Sequence, residues 1–319
     1  MSNLLDPAIL FFVFGVFAGA VRSNLEIPPP IAKFLSLYLL MALGLKGGFA
    51  LAASGLQPTV LLSLGAAVLM AALVPLLGYA WLRRRLDGFN AAALAAAYGS
   101  VSAVTFVAAM QYLEGRGLPA GGHMAVALVL MESPAVVIAV LLANRLRHQA
   151  SAASGVPPLG RIVHESLTHG AHLLLLGAMA VGVLSGESGR AVMQPFSGDL
   201  FKGMLAFFML DMGLLVARNA ASLRGQTPAL LAYATLGPLV HATLALALAS
   251  LLRLPAPDAA MLMVLSASAS YIVVPAVLRY AVPEANPSLY FGLSLGITFP
   301  LNLLAGIPLY TWAATRVLG

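Results

Sequence analysis

The sequence contains no cysteine, which excludes disulfides, thiolate-held metals and thiol nucleophiles. It is equally poor in charge. Only 9% of its 319 residues are Asp, Glu, Lys or Arg, against about 25% in a typical soluble domain. No Gly-rich phosphate loop, zinc-binding HExxH pattern or serine-elbow motif occurs, and the Ser-x-Ser segments have no candidate base near them in sequence. These absences argue against an enzyme. The first seven positions hold no basic residue, so they do not read as a cleavable signal, and the first apolar run is expected to be a retained helix.

What is present is apolar. Hydrophobic residues make up 61% of the chain, in recurring runs of roughly 20 residues, each able to cross a hydrocarbon core about 30 Å thick. The pattern predicts an all-α integral membrane protein of about ten transmembrane helices. They are expected near 7–21, 31–53, 57–83, 91–114, 120–147, 162–185, 194–217, 226–253, 257–281 and 287–315. Only His148 to Gly160, which is small, polar and Pro-rich, reads as a linker. The formal net charge of +6 comes from basic residues set singly or in short clusters between the apolar runs, as in Arg83-Arg84-Arg85 and Arg145-Leu146-Arg147. That placement marks topology signals and lipid-phosphate contacts rather than nucleic-acid binding. With Lys46 set aside as intramembrane, eleven basic residues fall on one side and five on the other. Both termini are then expected outside and the linker in the cytoplasm.

The two halves resemble each other. Asn90-Ala-Ala, Ser100-x-Ser102 and Tyr112 align with Asp258-Ala-Ala, Ser268-x-Ser270 and Tyr280 at a separation of 168 residues. Lys33, Gly44 and Leu45 align with Lys202, Gly213 and Leu214, and Glu132-Ser-Pro134 aligns with Thr298-Phe-Pro300, at nearly the same separation. The expected division is therefore a first five-helix repeat over 1–147, a cytoplasmic linker over 148–161 and a second repeat over 162–319. An odd helix number per unit inverts the second copy, an architecture common among secondary transporters.

In such transporters substrate lies where helices are broken at corresponding positions of the two halves. The two interruptions here are Tyr98-Gly-Ser-Val-Ser-Ala-Val-Thr105 in the fourth helix and Ser266-Ala-Ser-Ala-Ser-Tyr-Ile-Val-Val-Pro275 in the ninth. Pro275 cannot donate a backbone bond, and small polar side chains can satisfy the groups a break frees. The second half-helix of each pair presents free N–H groups and partial positive charge, which suit an anion. This makes Ser102, Ala103, Val104, Thr105, Ser270, Tyr271 and Ile272 the expected substrate-binding set. Carbonyls at the end of each first half suit a cation, with Ser100, Glu132, Ser268, Thr298 and Asn302 as its expected neighbours. The alternative is that the serines only allow close helix packing.

Ionisable groups in apolar runs cost roughly 2.5–3.5 kcal/mol each at a helix centre. Glu132, before Pro134, can ligate a cation, carry a proton or make a structural hydrogen bond. Lys46 is expected to snorkel to the headgroups, and Asp211 is similarly placed. His241 is expected to make an interhelical hydrogen bond. His148, His164, His169 and His172 gather around the linker without a carboxylate or cysteine partner, so no cofactor or metal beyond a coupling Na⁺ is expected.

At these residues the chain resembles the sodium-dependent bicarbonate transporters first known from cyanobacteria. The resemblance runs through Gly44-Leu-Lys-Gly-Gly-Phe-Ala-Leu51, Gly99-Ser-Val-Ser102, Met131-Glu-Ser-Pro-Ala135, Gly237-Pro-Leu-Val-His241, the break at 266–275 and Val282-Pro-Glu-Ala-Asn-Pro-Ser288. It implies a 5+5 inverted repeat with a core and a gate domain, assembled as a homotrimer in a bacterial cytoplasmic membrane among lipid. It also implies elevator-like symport of Na⁺ and bicarbonate between the broken helices. A soluble PII-like regulator is a further family partner, although the linker here is shorter and less charged than the cyanobacterial loop. Three departures stand out. Tyr271 replaces an acidic residue, Val273-Val274 replace Ser-Gly, and Ala103-Val104 replace a Gly-Ser pair, while Glu132 stands where the family has Asp. Fewer hydroxyls weaken Na⁺ binding and a phenol reshapes the cavity. Two other readings therefore stay open: an H⁺-coupled or uncoupled carrier of another small organic solute, and a membrane receptor or scaffold that binds without transporting.

Overall fold

The computed structural model describes residues 6–55, 57–149, 164 and 170–319. Most of the expected linker lies outside the described residues. The described chain is helical throughout, and proline opens many of its helices, its fixed φ suiting the first turn. α1 (Pro7–Ala20) follows Asp6, whose carboxylate accepts from the Ala8 amide at 2.9 Å. α2 spans Pro29–Ser54, α3 Pro58–Leu82 and α6 Met124–Gln149. Between α3 and α6 lie α4 (Gly88–Gly99) and α5 (Ala103–Glu114), the expected fourth helix in two pieces. In the second half α7 spans Gly170–Gln194, α8 Leu200–Asn219 and α9 Pro228–Leu251. The expected ninth helix is again in two pieces, α10 (Ala256–Ala267) and α11 (Val273–Ala281), before α12 (Pro287–Leu318).

Among the described residues, seven stretches are long and apolar enough to cross a membrane, and α1 and α10 are shorter apolar helices. Large apolar side chains such as Phe17, Leu61, Leu184 and Trp312 stay exposed, as a lipid-facing surface requires. Boundaries moved most around the expected sixth and seventh helices. Near the expected end of the sixth helix at 185, Gly186 (φ 55°, ψ −143°) is non-helical and breaks α7 with a kink. A second helical stretch then runs on to Gln194, where a π-helical turn, Pro195–Asp199, leads into α8. A left-handed φ is cheap only for glycine, so the helix breaks and turns there at little cost.

The helices pack in two kinds of group. α1 lies along α8, and α2 along α7, with small residues at both crossings. A Cβ on Gly213 would sit 2.1 Å from the Phe12 carbonyl oxygen, and one on Gly48 would sit 2.2 Å from that of Met179. Without a hydrophobic drive between helices in lipid, such close approach supplies the packing energy. α3, α4 and α6 form a second group, and α9, α10 and the last stretch of α12 form a third.

The Val282-Pro-Glu-Ala-Asn-Pro-Ser288 segment fastens the last two groups together. Arg147, buried at the end of α6, holds Glu284 in a fork of two 2.7 Å bonds, from Nε to Oε1 and from Nη2 to Oε2. The same guanidinium donates to the Ala281 carbonyl and to Asn144 Oδ1. The Asn286 amide donates to Asn90 Oδ1 at 2.7 Å, while its own Oδ1 caps α12 at the Ser288 amide.

The Arg147 hydrogen bonds hold the Glu284 carboxyl below its ordinary value of 4.5. A lowered folded pKa stabilises above the unfolded value and fades as pH falls through the folded one. Glu284→Gln should therefore lower the thermal unfolding midpoint of detergent-solubilised protein at pH 7, by about 1–3 kcal/mol for a half-exposed partner of a buried cation. The gap between variant and wild type should narrow as pH drops below about 4.5. A pH-independent gap would contradict the pairing.

Candidate functional site

Both breaks fall at serines. α4 stops at Ser100, in extended backbone (φ −96°, ψ −174°), and α10 stops at Ser268 in nearly the same conformation (φ −79°, ψ 166°). The first halves are buried on all sides, from Ala91 to Gly99 in α4 and from Asp258 to Ala267 in α10, so their ends meet away from solvent. Gly99 makes room for the Pro75 ring of α3, which a Cβ there would approach to 2.6 Å.

The breaks bond to each other. The Ser102 amide donates to Ser268 Oγ at 3.0 Å, and the Ser270 amide donates to the Ala97 carbonyl at 2.8 Å. Ser268 Oγ in turn donates to the Leu265 carbonyl at 2.8 Å. At the separation of 168 residues noted in the sequence, Ser100 stands opposite Ser268, and Ala97 opposite Leu265. The two sides therefore differ in one atom's use: Ser268 Oγ is interposed between amide and carbonyl, whereas Ser270 reaches Ala97 directly and leaves Ser100 Oγ without a partner among the described residues.

The second half-helices begin with hydroxyl caps. Ser102 Oγ accepts from the Thr105 amide at 3.2 Å, and Ser270 Oγ from the Val274 amide at 3.3 Å. The first amides of each second half, those of Ala103 and Val104 and that of Val273, have no intrahelical acceptor. Val104 and Thr105 are buried and Ala103 half-buried. Thr105 Oγ1 and Ser266 Oγ are buried without a hydrogen-bond partner among the described residues. Ile272 differs from the other expected substrate residues: it is 51% exposed. Tyr271 is buried, its ring 5.5 Å from Phe299 and its hydroxyl 3.9 Å from the Met212 sulfur on α8. Tyr271 thus bridges the break to the α1–α8 pair.

Of the expected cation neighbours, Ser100 and Ser268 lie in the breaks. Thr298 and Asn302 stand in two π-helical stretches of α12, Ser294–Thr298 and Asn302–Gly306, a distortion frequent at functional sites. Both side chains are already engaged. The Tyr98 hydroxyl meets Thr298 Oγ1 at 2.6 Å, and that oxygen donates to the Ala234 carbonyl at 2.8 Å. Asn302 Nδ2 donates to the Ala267 carbonyl, the last of α10, at 2.8 Å, and its Oδ1 accepts from Tyr310 at 3.0 Å. They hold the broken ends in place. Glu132 is buried on α6, which packs against both α4 and α10.

Two expectations are corrected. Lys46 does not snorkel. Its Nζ pairs with Glu114 at 2.9 Å and lies 4.5 Å above the Phe201 ring, because α5 brings a carboxylate within reach. His241 makes no interhelical bond through Nδ1, which is buried without a partner among the described residues; its nearest aromatic neighbour is Tyr233. Asp211 is half-buried on α8.

Sequence reasoning passed over Tyr98 and Tyr310, although Tyr98 adjoins the first break. It also missed His123, buried with Nε2 3.5 Å from Asp258 Oδ2. Burial outweighs the pull of Asp258 and lowers the His123 pKa below the usual value. Nothing in the spacing of residues 135 positions apart announces that pair. No group of three or more metal-ligating side chains occurs among the described residues.

Helices interrupted at paired serines and meeting inside an apolar bundle define a multi-pass membrane protein of transporter type. The sequence matches the Na⁺-dependent bicarbonate transporter superfamily over residues 7–315, and the chain belongs to that family. No curated protein matches the sequence.

Asn302→Ala should leave the Ala267 carbonyl and the Tyr310 hydroxyl without partners. The expected cost is about 1–3 kcal/mol for each buried group, read as a lower unfolding midpoint. An unchanged midpoint would show that Asn302 does not hold the second break.

Proposed function

We propose that this chain is a Na⁺-coupled symporter of a small anion, bicarbonate in the first instance, with the anion held between the amide ends at 102–105 and 270–273. The observation that carries this reading is the meeting of two broken helices whose second halves both start with serine caps. Two opposed helix N-termini set partial positive charge on either side of one spot. Ser100 Oγ, the neighbouring carbonyls at the ends of α4 and α10 and the Glu132 carboxylate are the oxygens that suit Na⁺. The transporter reading leaves no role for catalysis.

The packing supports an inverted repeat over 1–147 and 162–319. The α1–α8 and α2–α7 pairs exchange under it, as do the α3–α4–α6 and α9–α10–α12 groups. α1, α2, α7 and α8 then form the gate, the other helices form the core, and transport proceeds by elevator-like movement of core against gate. A homotrimer in a bacterial cytoplasmic membrane, with both termini outside, completes the reading. The short linker argues against a PII-like partner. A second reading is favoured by Tyr271, whose buried aromatic contacts suit an H⁺-coupled or uncoupled carrier of a less hydrophilic organic solute.

Uptake of radiolabelled bicarbonate into proteoliposomes, under an inward Na⁺ gradient against an equal K⁺ gradient, separates these readings. Na⁺-dependent uptake is expected, and Ser102→Ala with Ser270→Ala should abolish it while expression stays intact. Uptake that is indifferent to Na⁺ favours the second reading, and a fully active double variant removes the site assignment.

A further inference from the structure

One cavity has no part in the breaks. It is a crevice of about 490 Å³ between α2, α5, the end of α7 and the start of α8. Lys46, Arg190 and Lys202 line it on the cationic side, Glu114 and Asp199 on the anionic side. The pairing inside is incomplete. Glu114 takes Lys46 at 2.9 Å, and Arg190 has only Glu187 at 3.5 Å, both largely exposed. Lys202 has no ion pair among the described residues. Asp199 likewise has no ion pair among the described residues, so the lining holds three cations against two carboxylates, an excess of one positive charge, and low-dielectric walls focus the field of such groups.

Its position matters as much as its charge. α5 runs from the first break at Ala103 to Glu114, so the crevice sits at the far end of the helix whose start faces the proposed site. A narrower cavity shares Gln111 with it and reaches Ala108, little more than one helical turn from Ala103. Lys46 lies inside α2, where a cation is costly unless it has a use. Its carboxylate partner stands on a different helix and is about one-third exposed, so an arriving anion can take its place.

We propose that the crevice is a binding site for a small monovalent anion, in which the anion bridges Lys46 and Lys202 and displaces Glu114 from Lys46. Resting on the transport reading, it is an access site from which substrate passes along α5 to the breaks.

The absence of cysteine permits a test that needs no transport. A single Gln111→Cys is introduced and its reaction rates with a sulfonate-bearing and a trimethylammonium-bearing methanethiosulfonate are compared in proteoliposomes. Relative to a free thiol, the sulfonate reagent should be favoured several-fold. Glu114→Gln should increase that preference, and Lys46→Gln with Lys202→Gln should abolish it. Sodium bicarbonate should slow the sulfonate reagent more than sodium gluconate at equal ionic strength. A ratio equal to the free thiol's, or one unmoved by the lysine substitutions, would overturn the site, as would a lack of protection by any anion. Protection by chloride but not by bicarbonate would uphold the site and sink bicarbonate as substrate, so the two claims fail separately.

Discussion

The structure depends on how two interrupted helices satisfy their backbone inside a region without water. Each unpaired buried amide or carbonyl there costs several kcal/mol, and a break exposes several at once. The chain answers with reciprocal bonding: Ser102 to Ser268 Oγ, and Ser270 to the Ala97 carbonyl. Neither break is satisfied alone. Tyr98, Thr298, Asn302 and Tyr310 then tie the broken ends to α9 and α12. The π-helical stretches of α12 bring Thr298 and Asn302 to those ends.

That mutual dependence bears on the elevator-like movement proposed above. The contacts across the breaks are few, and those between the glycine-lined helix pairs are many and close. The α1–α8 and α2–α7 pairs are closely packed, with Gly213 against the Phe12 carbonyl and Gly48 against that of Met179. Between these pairs and the breaks lie the Tyr271–Met212 contact and the Lys46–Glu114 pair. Both would have to be remade if core and gate shift against each other.

Much of this was legible in the sequence. Two Ser-x-Ser segments 168 residues apart, each interrupting an apolar run, located both breaks to within a residue or two. Proline at helix starts and long apolar runs gave the helices. What was not legible depended on partners distant in the chain. Glu114 is 68 positions from Lys46 and Phe201 lies on another helix again, so a partly buried pair read as a snorkelling lysine. The sixth helix was expected to end at 185, beside the non-helical Gly186 (φ 55°, ψ −143°), but the helical stretch that follows it to Gln194 was not foreseen. The 282–288 motif pointed to the family, but its work is structural: Glu284 and Asn286 fasten α6 and α4 to the start of α12.

The central claim is that the anion lies between the amides of 102–105 and 270–273. An electron-density map of the protein in nanodiscs, with saturating sodium bicarbonate, tests it most directly. The account predicts a small planar density there, with the Ser102–Ser268 and Ser270–Ala97 bonds opened to admit it. Intact bonds across the breaks, with anion density only elsewhere, would contradict it.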